Sequence, residues 1–368
     1  MPAWLPYVLA GVGFALLIIL HEFGHFIAAK KTGMRVERFS LFFPPHIFKW
    51  RPKGSETDYA IGLIPLGGYC KITGMTAAEE LPEDVAYRAY HRQKPWKRIV
   101  VIAAGPAMNV LVAFLIFFAL FLAQGKVTVT PVSKVAKAEL VAPAKGVLQP
   151  GDKIVSVDGV SGSPDRIRKQ ISTHRCAGAV TDGCQATTAA TITVQRNGRT
   201  LTFHLKPRYD ASQKLMRIGF AYDQVQHSHP LGAGGAAKES VNAMWFVTSR
   251  TFSALARIFT PEGRKQISGV VGSYETTRQA FTLNTETALR ILAIISLSLA
   301  IVNLFPFLPL DGGHIFWAVA EKVRGRAIPF RVIERASIVG FVLIMFLFVI
   351  GLSNDIGRLT SGEGFHLR

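Results

Sequence analysis

Residues 16–31 read LLIILHEFGHFIAAKK and set His21, Glu22 and His25 inside a run otherwise apolar enough to cross a bilayer. An ionised group at the centre of a membrane helix costs about 3 kcal/mol even on the lenient insertion scale, so three such residues within five positions need compensation. On a helix, positions i and i+4 share a face, and His21 and His25 therefore aim two imidazoles at one spot. His-Glu-x-x-His is the pattern by which a helix offers two ligands to a metal, with the glutamate one residue along, free to reach a bound water. Zinc in such a setting lowers the pKa of its water to about 7, and a neighbouring carboxylate takes the proton. Lys30 follows nine residues after His21, which puts the cluster ~13 Å from the basic end of the helix at helical rise.

The 368 residues are 49% hydrophobic with a mean hydropathy of +0.28, and the apolar residues come in blocks. Four blocks match the ~20 residues of a crossing: Leu5–Ala29, Ile99–Ala123, Ile291–Leu310 and Ala336–Leu352. The first has no Lys or Arg ahead of it and runs too long for a secretion signal, so it reads as a retained helix. The formal charge of +18 lacks the aromatic interleaving and motifs of a nucleic-acid surface, and no nucleic-acid partner is expected. Its placement speaks to topology instead. The basic segments Lys30–Arg98 and Asp311–Arg335 abut helix ends and read as cytoplasmic, while the long Gln124–Arg290 segment and both termini fall outside. Anionic lipid is the expected partner of the surplus charge.

Two histidines leave a catalytic zinc short of a third protein ligand. The third block ends AIVNLFPFLPLDGGHIF (residues 300–316), with Pro306 and Pro309 to break the helix and Gly312 and Gly313 to allow an unusual backbone path. Irregular backbone at membrane depth is tolerated where it is buried in protein or lines a water cavity. Asp311 on such a loop is the candidate third ligand; an N-cap for a helix starting near His314 is the alternative. This crossing runs inward, so Asp311 reaches the depth of His21 and His25. His314 is expected to be structural or to stand behind the ligands.

HEFGH in a first membrane helix together with NLFPFLPLDGG in a later one resembles the site-2 protease family of intramembrane zinc metalloproteases, in particular its RseP-like bacterial branch. AAGPAMN (Ala103–Asn109) resembles the family's Gly-Pro-x-x-Asn segment. The resemblance implies zinc on His21, His25 and Asp311, Glu22 as general base, and Asn303 as a substrate-holding residue. The second proline of the loop stands at Pro309, with Leu308 where the family often has one, and the Asn-to-Asp spacing is kept. TDYAIGLIPLGGYCKI (Thr57–Ile72) reads as a β-loop around Pro65, Gly67 and Gly68 and resembles the family's re-entrant loop over residues 57–75. Such an edge would pair with the backbone of an opened substrate helix, which makes Gly67 and Gly68 candidate substrate contacts; a plain amphipathic hairpin packed on the helices is the alternative.

In the outer segment, KGVLQPGDKIVSVDGV (Lys145–Val160) resembles a PDZ signature, and the apolar alternation around Asn197–Gly198 marks a hairpin. Whether this domain grips peptides or acts as the size filter implied by the resemblance stays open. Cys176 and Cys184 are eight positions apart and are either a disulfide or two free thiols; Cys70 reads as an ordinary small residue. The helical pattern from Val241 to Phe259 reads as a helix on the membrane surface or against the PDZ-like domain. SGVVGSY (Ser268–Tyr274) resembles the family's Ser-Gly-Pro-Val-Gly stretch.

The expected molecule is thus an α-helical polytopic membrane protein of four transmembrane helices with an inserted PDZ-like α+β domain and a membrane-associated β-loop. Its parts are an N-terminal membrane part (1–123), the periplasmic PDZ-like domain (124–210), a periplasmic membrane-surface helical region (211–288) and a C-terminal membrane part (289–368). The resemblance implies an enzyme of the bacterial inner membrane, with its site inside the bilayer toward the cytoplasm. It would cut single-pass membrane proteins in or beside their spanning helix, such as an anti-sigma factor already clipped by another protease or signal-peptide remnants. A catalytically silent PDZ-containing adaptor is the rival from another class, and a metal transporter is disfavoured because the second and fourth blocks offer little polar beyond Asn109.

Overall fold

The computed structural model describes residues 2–75, 81, 83–136, 140–211, 213–258, 260, 263–264 and 267–360. Among these, four helices are long and apolar enough to cross a membrane: α1 (Leu5–Lys31), α3 (Pro95–Gln124), α7 (Thr285–Asn303) and α9 (Phe330–Thr360). The chain divides into two compact units, residues 1–123 with 231–368, and residues 124–230.

In the helical unit, α1 ends on Lys30 and Lys31; the Thr32 hydroxyl donates to the Ala28 carbonyl at 2.8 Å, and Gly33 turns the chain. The antiparallel pair β1 (Val36–Trp50) and β2 (Asp58–Ile72) follows. Both strands are bent, so that residues 36–41 pair on one side with 68–72 and on the other with 58–61, and the latter pair again with 48–50. The arm 68–72 is therefore an edge of this small sheet. A short helix α2 (Glu83–Ala86) leads to α3, which contains Pro106 and packs closely on α1: a side chain on Gly24 would collide with the Ala104 carbonyl. Glycine at such a crossing lets two helix backbones approach.

The segment from residue 231 begins with α5 (Ala233–Arg257). Within the helical unit it packs against α3 and α7. Val247 is buried with Ala113 and Phe117 of α3 and Ala293, Leu297 and Ile301 of α7, because one face of α5 is apolar along its length. Next, α6 (Val270–Leu283) sets Ala280 and Phe281 against Ala10 and Leu17 of α1, and α7 runs back through the unit. The helix stops at Asn303, before the predicted end at Leu310, where Pro306 and Pro309 withdraw the donors it would need. After the loop come α8 (Asp311–Arg324) and α9. Near its C-terminal end α9 carries Asp355, fully buried, which accepts from the Gly269 N–H (2.9 Å), the Gly272 N–H (2.8 Å) and the Ser268 hydroxyl (3.1 Å). The SGVVG stretch is thus the N-terminus of α6, capped by a carboxylate from another helix.

The second unit is a sheet ordered β10-β3-β4-β6-β7, with the short β5 paired to β4. Its strands are β3 (Lys126–Val135), β4 (Lys153–Val157), β5 (Val160–Ser161), β6 (Ala190–Arg196), β7 (Arg199–Leu205) and β10 (Tyr222–His229), and α4 (Pro164–Ile171) packs on it. A separate hairpin joins β8 (Arg208–Asp210) to β9 (Leu215–Arg217). The Asn197–Gly198 turn has both φ angles positive, and Ile192 faces Phe203 across it. The unit runs past the boundary expected at 210, because β10 pairs antiparallel with β3 and brings His229 opposite Lys126. Cys176 and Cys184 are joined by a disulfide that closes a loop between α4 and β6.

Candidate metal centre

His21 and His25 lie one turn apart on α1, both buried and facing α3. Glycine makes the room: a side chain on Gly105 would occupy the His25 imidazole itself. The His25 Nδ1–H donates to the Val101 carbonyl at 2.9 Å, which leaves Nε2 with its lone pair turned inward. The two Nε2 atoms are 3.3 Å apart.

Asp311 arrives from the far side. The helix α8 begins at Asp311, and the residue in the N-cap position is Leu310, with no side-chain cap, so the capping alternative does not hold. Gly312 and Gly313 are needed for another reason than an unusual backbone path. Both sit in the first turn of α8, and a side chain on either would strike backbone of the loop folded over it, Leu304 and Phe305 in one case, Phe307 and Leu308 in the other. That tight fold directs the Asp311 carboxylate to the histidines: Oδ2 is 3.3 Å from His21 Nε2 and 3.4 Å from His25 Nε2. Oδ2 is enclosed and accepts no well-formed hydrogen bond. This is the one group of three or more His, Cys, Asp or Glu side chains among the described residues whose ligand atoms converge in this way.

The geometry fits zinc. Four ligands at bond lengths of about 2.0–2.1 Å around a tetrahedral ion stand about 3.3 Å from one another, which is the size of this triangle. Three mutually facing acceptor atoms in a buried site are otherwise an unfavourable arrangement, and a cation at their centre resolves it.

Around the triangle, Asn303 at the end of α7 brings its side-chain nitrogen to 3.5 Å from His21 Nε2. Glu22 is half-buried beside the cluster, near the backbone of Cys70 on the edge arm of β2. Gly68, on the same arm, lies directly against α1; a side chain there would meet Ile18 and the Glu22 Cγ. Gly67 (φ +154°) lies next to the Phe43 ring. His314 is not in the triangle; its ring stands edge-on to Tyr90, centroids 6.4 Å apart. The sequence reading missed two supports of the site: the Val101 carbonyl and the Asn109 side chain behind His21. Only Asn109 carried a signal, as a polar residue inside an apolar span.

The sequence model of peptidase family M50 matches residues 9–347. The chain belongs to peptidase family M50. Bacterial proteins align with it along nearly the whole molecule. A Clostridium perfringens protein is 30% identical over 352 residues, covering 95% of this chain and 98% of its own. A Rhizobium meliloti protein is 28% identical over 368 residues, covering 94% of each, and one from Agrobacterium fabrum is 28% identical over 377 residues, covering 97% and 96%. All three carry the provisional name zinc metalloprotease. This M50 peptidase is accordingly a zinc metalloprotease of the site-2 protease family, and its four apolar helices make it a membrane protein.

Proposed function

We propose that this M50 peptidase cuts single-pass membrane proteins within or beside their transmembrane segment, with His21, His25 and Asp311 as the zinc ligands and Glu22 as general base. The observation that carries the reading is the convergence of three ligand atoms, contributed by two distant parts of the chain, on helices built to sit in a bilayer.

Zinc held there supplies Lewis acidity, activating a water near neutral pH and polarising the scissile carbonyl. The protein does the rest. Glu22 takes a proton from the attacking water on its carboxylate and returns it to the leaving amide nitrogen. The Asn303 side-chain N–H groups, aimed at the triangle, donate to the carbonyl oxygen as it gains charge. A helical substrate hides its peptide bonds in its own hydrogen bonds and must first be opened. The edge arm 68–72, lying against α1 at Glu22, offers backbone groups to hold the opened strand, with Gly67 and Gly68 keeping that approach unobstructed.

The flanking basic segments support an orientation with the site toward the cytoplasm of a bacterial inner membrane and the β-rich unit in the periplasm. The bonded Cys176–Cys184 pair agrees with an oxidising compartment for that unit. We read residues 124–210 as a single PDZ-like domain, with its signature at Lys145–Val160, serving to keep substrates with bulky outer domains from the site until another protease has trimmed them. An anti-sigma factor or a signal-peptide remnant has the required form. Lysines and arginines at the helix ends, with Trp96 exposed at the start of α3, suit contact with anionic lipid.

The test is Glu22→Gln, assayed on a model single-pass substrate in proteoliposomes with bound zinc measured in parallel. Loss of cleavage by at least ~10²-fold with zinc retained is expected. Undiminished cleavage would defeat the mechanism.

A further inference from the structure

We propose that Asn109 is a positioning residue for the metal centre: its side-chain oxygen Oδ1 accepts the Nδ1–H of His21 and thereby presents His21 Nε2 to the ion. This rests on His21 being a ligand. One orientation of the Asn109 amide sets Nδ2 3.2 Å from His21 Nδ1 and leaves Oδ1 enclosed with no partner. In that orientation an NH₂ group faces Nδ1, which must then be the bare nitrogen, so the ring proton sits on Nε2. That is the nitrogen turned toward His25 and Asp311, and a protonated Nε2 cannot bind a metal.

A half-turn of the amide exchanges two groups of nearly equal size and settles both problems at once. Oδ1 gains a donor, Nδ1 carries the proton, and the Nε2 lone pair is free. The residue has no alternative use for that oxygen: Asn109 is 0% exposed inside an apolar helix, and its backbone carbonyl is already engaged by the Ser296 hydroxyl at 2.9 Å. The same device serves the other histidine, whose Nδ1–H donates to Val101. Since α1 and α3 run antiparallel, residues 101 and 109 of α3 fall behind 25 and 21 of α1, and a single helix fixes the tautomer of both. Partners of this kind orient a metal-binding imidazole and raise its basicity, and losing one weakens metal affinity 10–100-fold.

The experiment measures zinc dissociation constants, by competition with a chromophoric chelator, on the full-length protein in detergent micelles for wild type, Asn109→Leu, Asn109→Asp and His21→Ala. Thermal midpoints of the chelator-stripped proteins serve as the folding control. The expected result is affinity 10–100-fold weaker for Asn109→Leu and equal to or tighter than wild type for Asn109→Asp, since a carboxylate accepts the same proton. A merely structural role for Asn109 would not be rescued by a buried charge. Wild-type affinity in Asn109→Leu, or Asn109→Asp as weak as Asn109→Leu, would overturn the proposal while a weak His21→Ala left the ligand reading standing. Wild-type affinity in His21→Ala would overturn that reading itself.

Discussion

Two aspartates in the helical unit, Asp355 buried outright and Asp311 half-buried with its Oδ2 enclosed, are held in opposite ways. Asp355 on α9 receives three donors, two backbone N–H groups and a hydroxyl, so its charge is met by the N-terminus of α6. Asp311 at the start of α8 has an enclosed oxygen with no donor and faces two imidazole nitrogens at 3.3 and 3.4 Å. The first carboxylate is complete within the protein and joins two helices. The second, on the ligand reading proposed above, is completed by a cation. Unmet valence in a buried group, rather than its burial or its charge, separates a working site from a structural one.

The contrast is broken most severely at Asp311. Asp311→Asn should weaken zinc binding by at least ~100-fold in a chelator competition, because a ligand is lost and no neighbour replaces it. Full zinc content in that variant would remove Asp311 from the ligand set. Gly105→Val approaches the same centre from behind: the new side chain needs the volume of the His25 imidazole, and zinc content and cleavage should fall together, with a loss of about 1–3 kcal/mol in stability from overpacking. Asp355→Leu should do the reverse. It leaves three donors unpaired and should cost about 3 kcal/mol, read as a lowered thermal midpoint, while zinc stoichiometry stays at the wild-type value.

A third aspartate, buried in the β-rich unit, sharpens the comparison with the smallest effect. Asp152 is paired by the Arg196 guanidinium, with both bonds at 2.7 Å. Burial pushes its carboxyl upward, but Arg196 and the Gln149 N–H outweigh that and hold it below the usual carboxylate range. A folded-state pKa below the unfolded one gives stability that is present above the unfolded value, about 4, and lost as pH falls through the folded value. The isolated contribution should be about 1–2 kcal/mol. Asp152→Asn should flatten the acid limb of the stability profile below about pH 4; an unchanged limb would show that the pair contributes nothing there.

Much of the site was legible because its chemistry is local. His21, Glu22 and His25 sit within one helical turn, and Asp311 follows a proline-broken apolar run; a charge cost at membrane depth singles out both. The four long apolar helices were legible for the same reason, as uninterrupted apolar length. What stayed hidden depends on packing between distant segments. Nothing in the composition of α5 says that Val247 will be buried between α3 and α7, and Gly312 and Gly313 look like flexible residues until the loop is seen folded against them. Asp355 drew no notice, since a lone acid near the end of a span ordinarily marks an interface. The strand β10 was missed because its polar residues DQVQHSH show no alternation, and its place is fixed by pairing with β3.

The central claim is that one zinc ion is held by α1 and the start of α8 together. X-ray absorption at the zinc edge of the purified protein, compared between wild type and Asp311→Asn, tests it most directly. The account predicts two imidazoles and a carboxylate oxygen at about 2.0–2.1 Å in the wild type, with the carboxylate lost and occupancy collapsed in the variant. An identical first shell in both proteins, or a wild-type shell without imidazole, would contradict it.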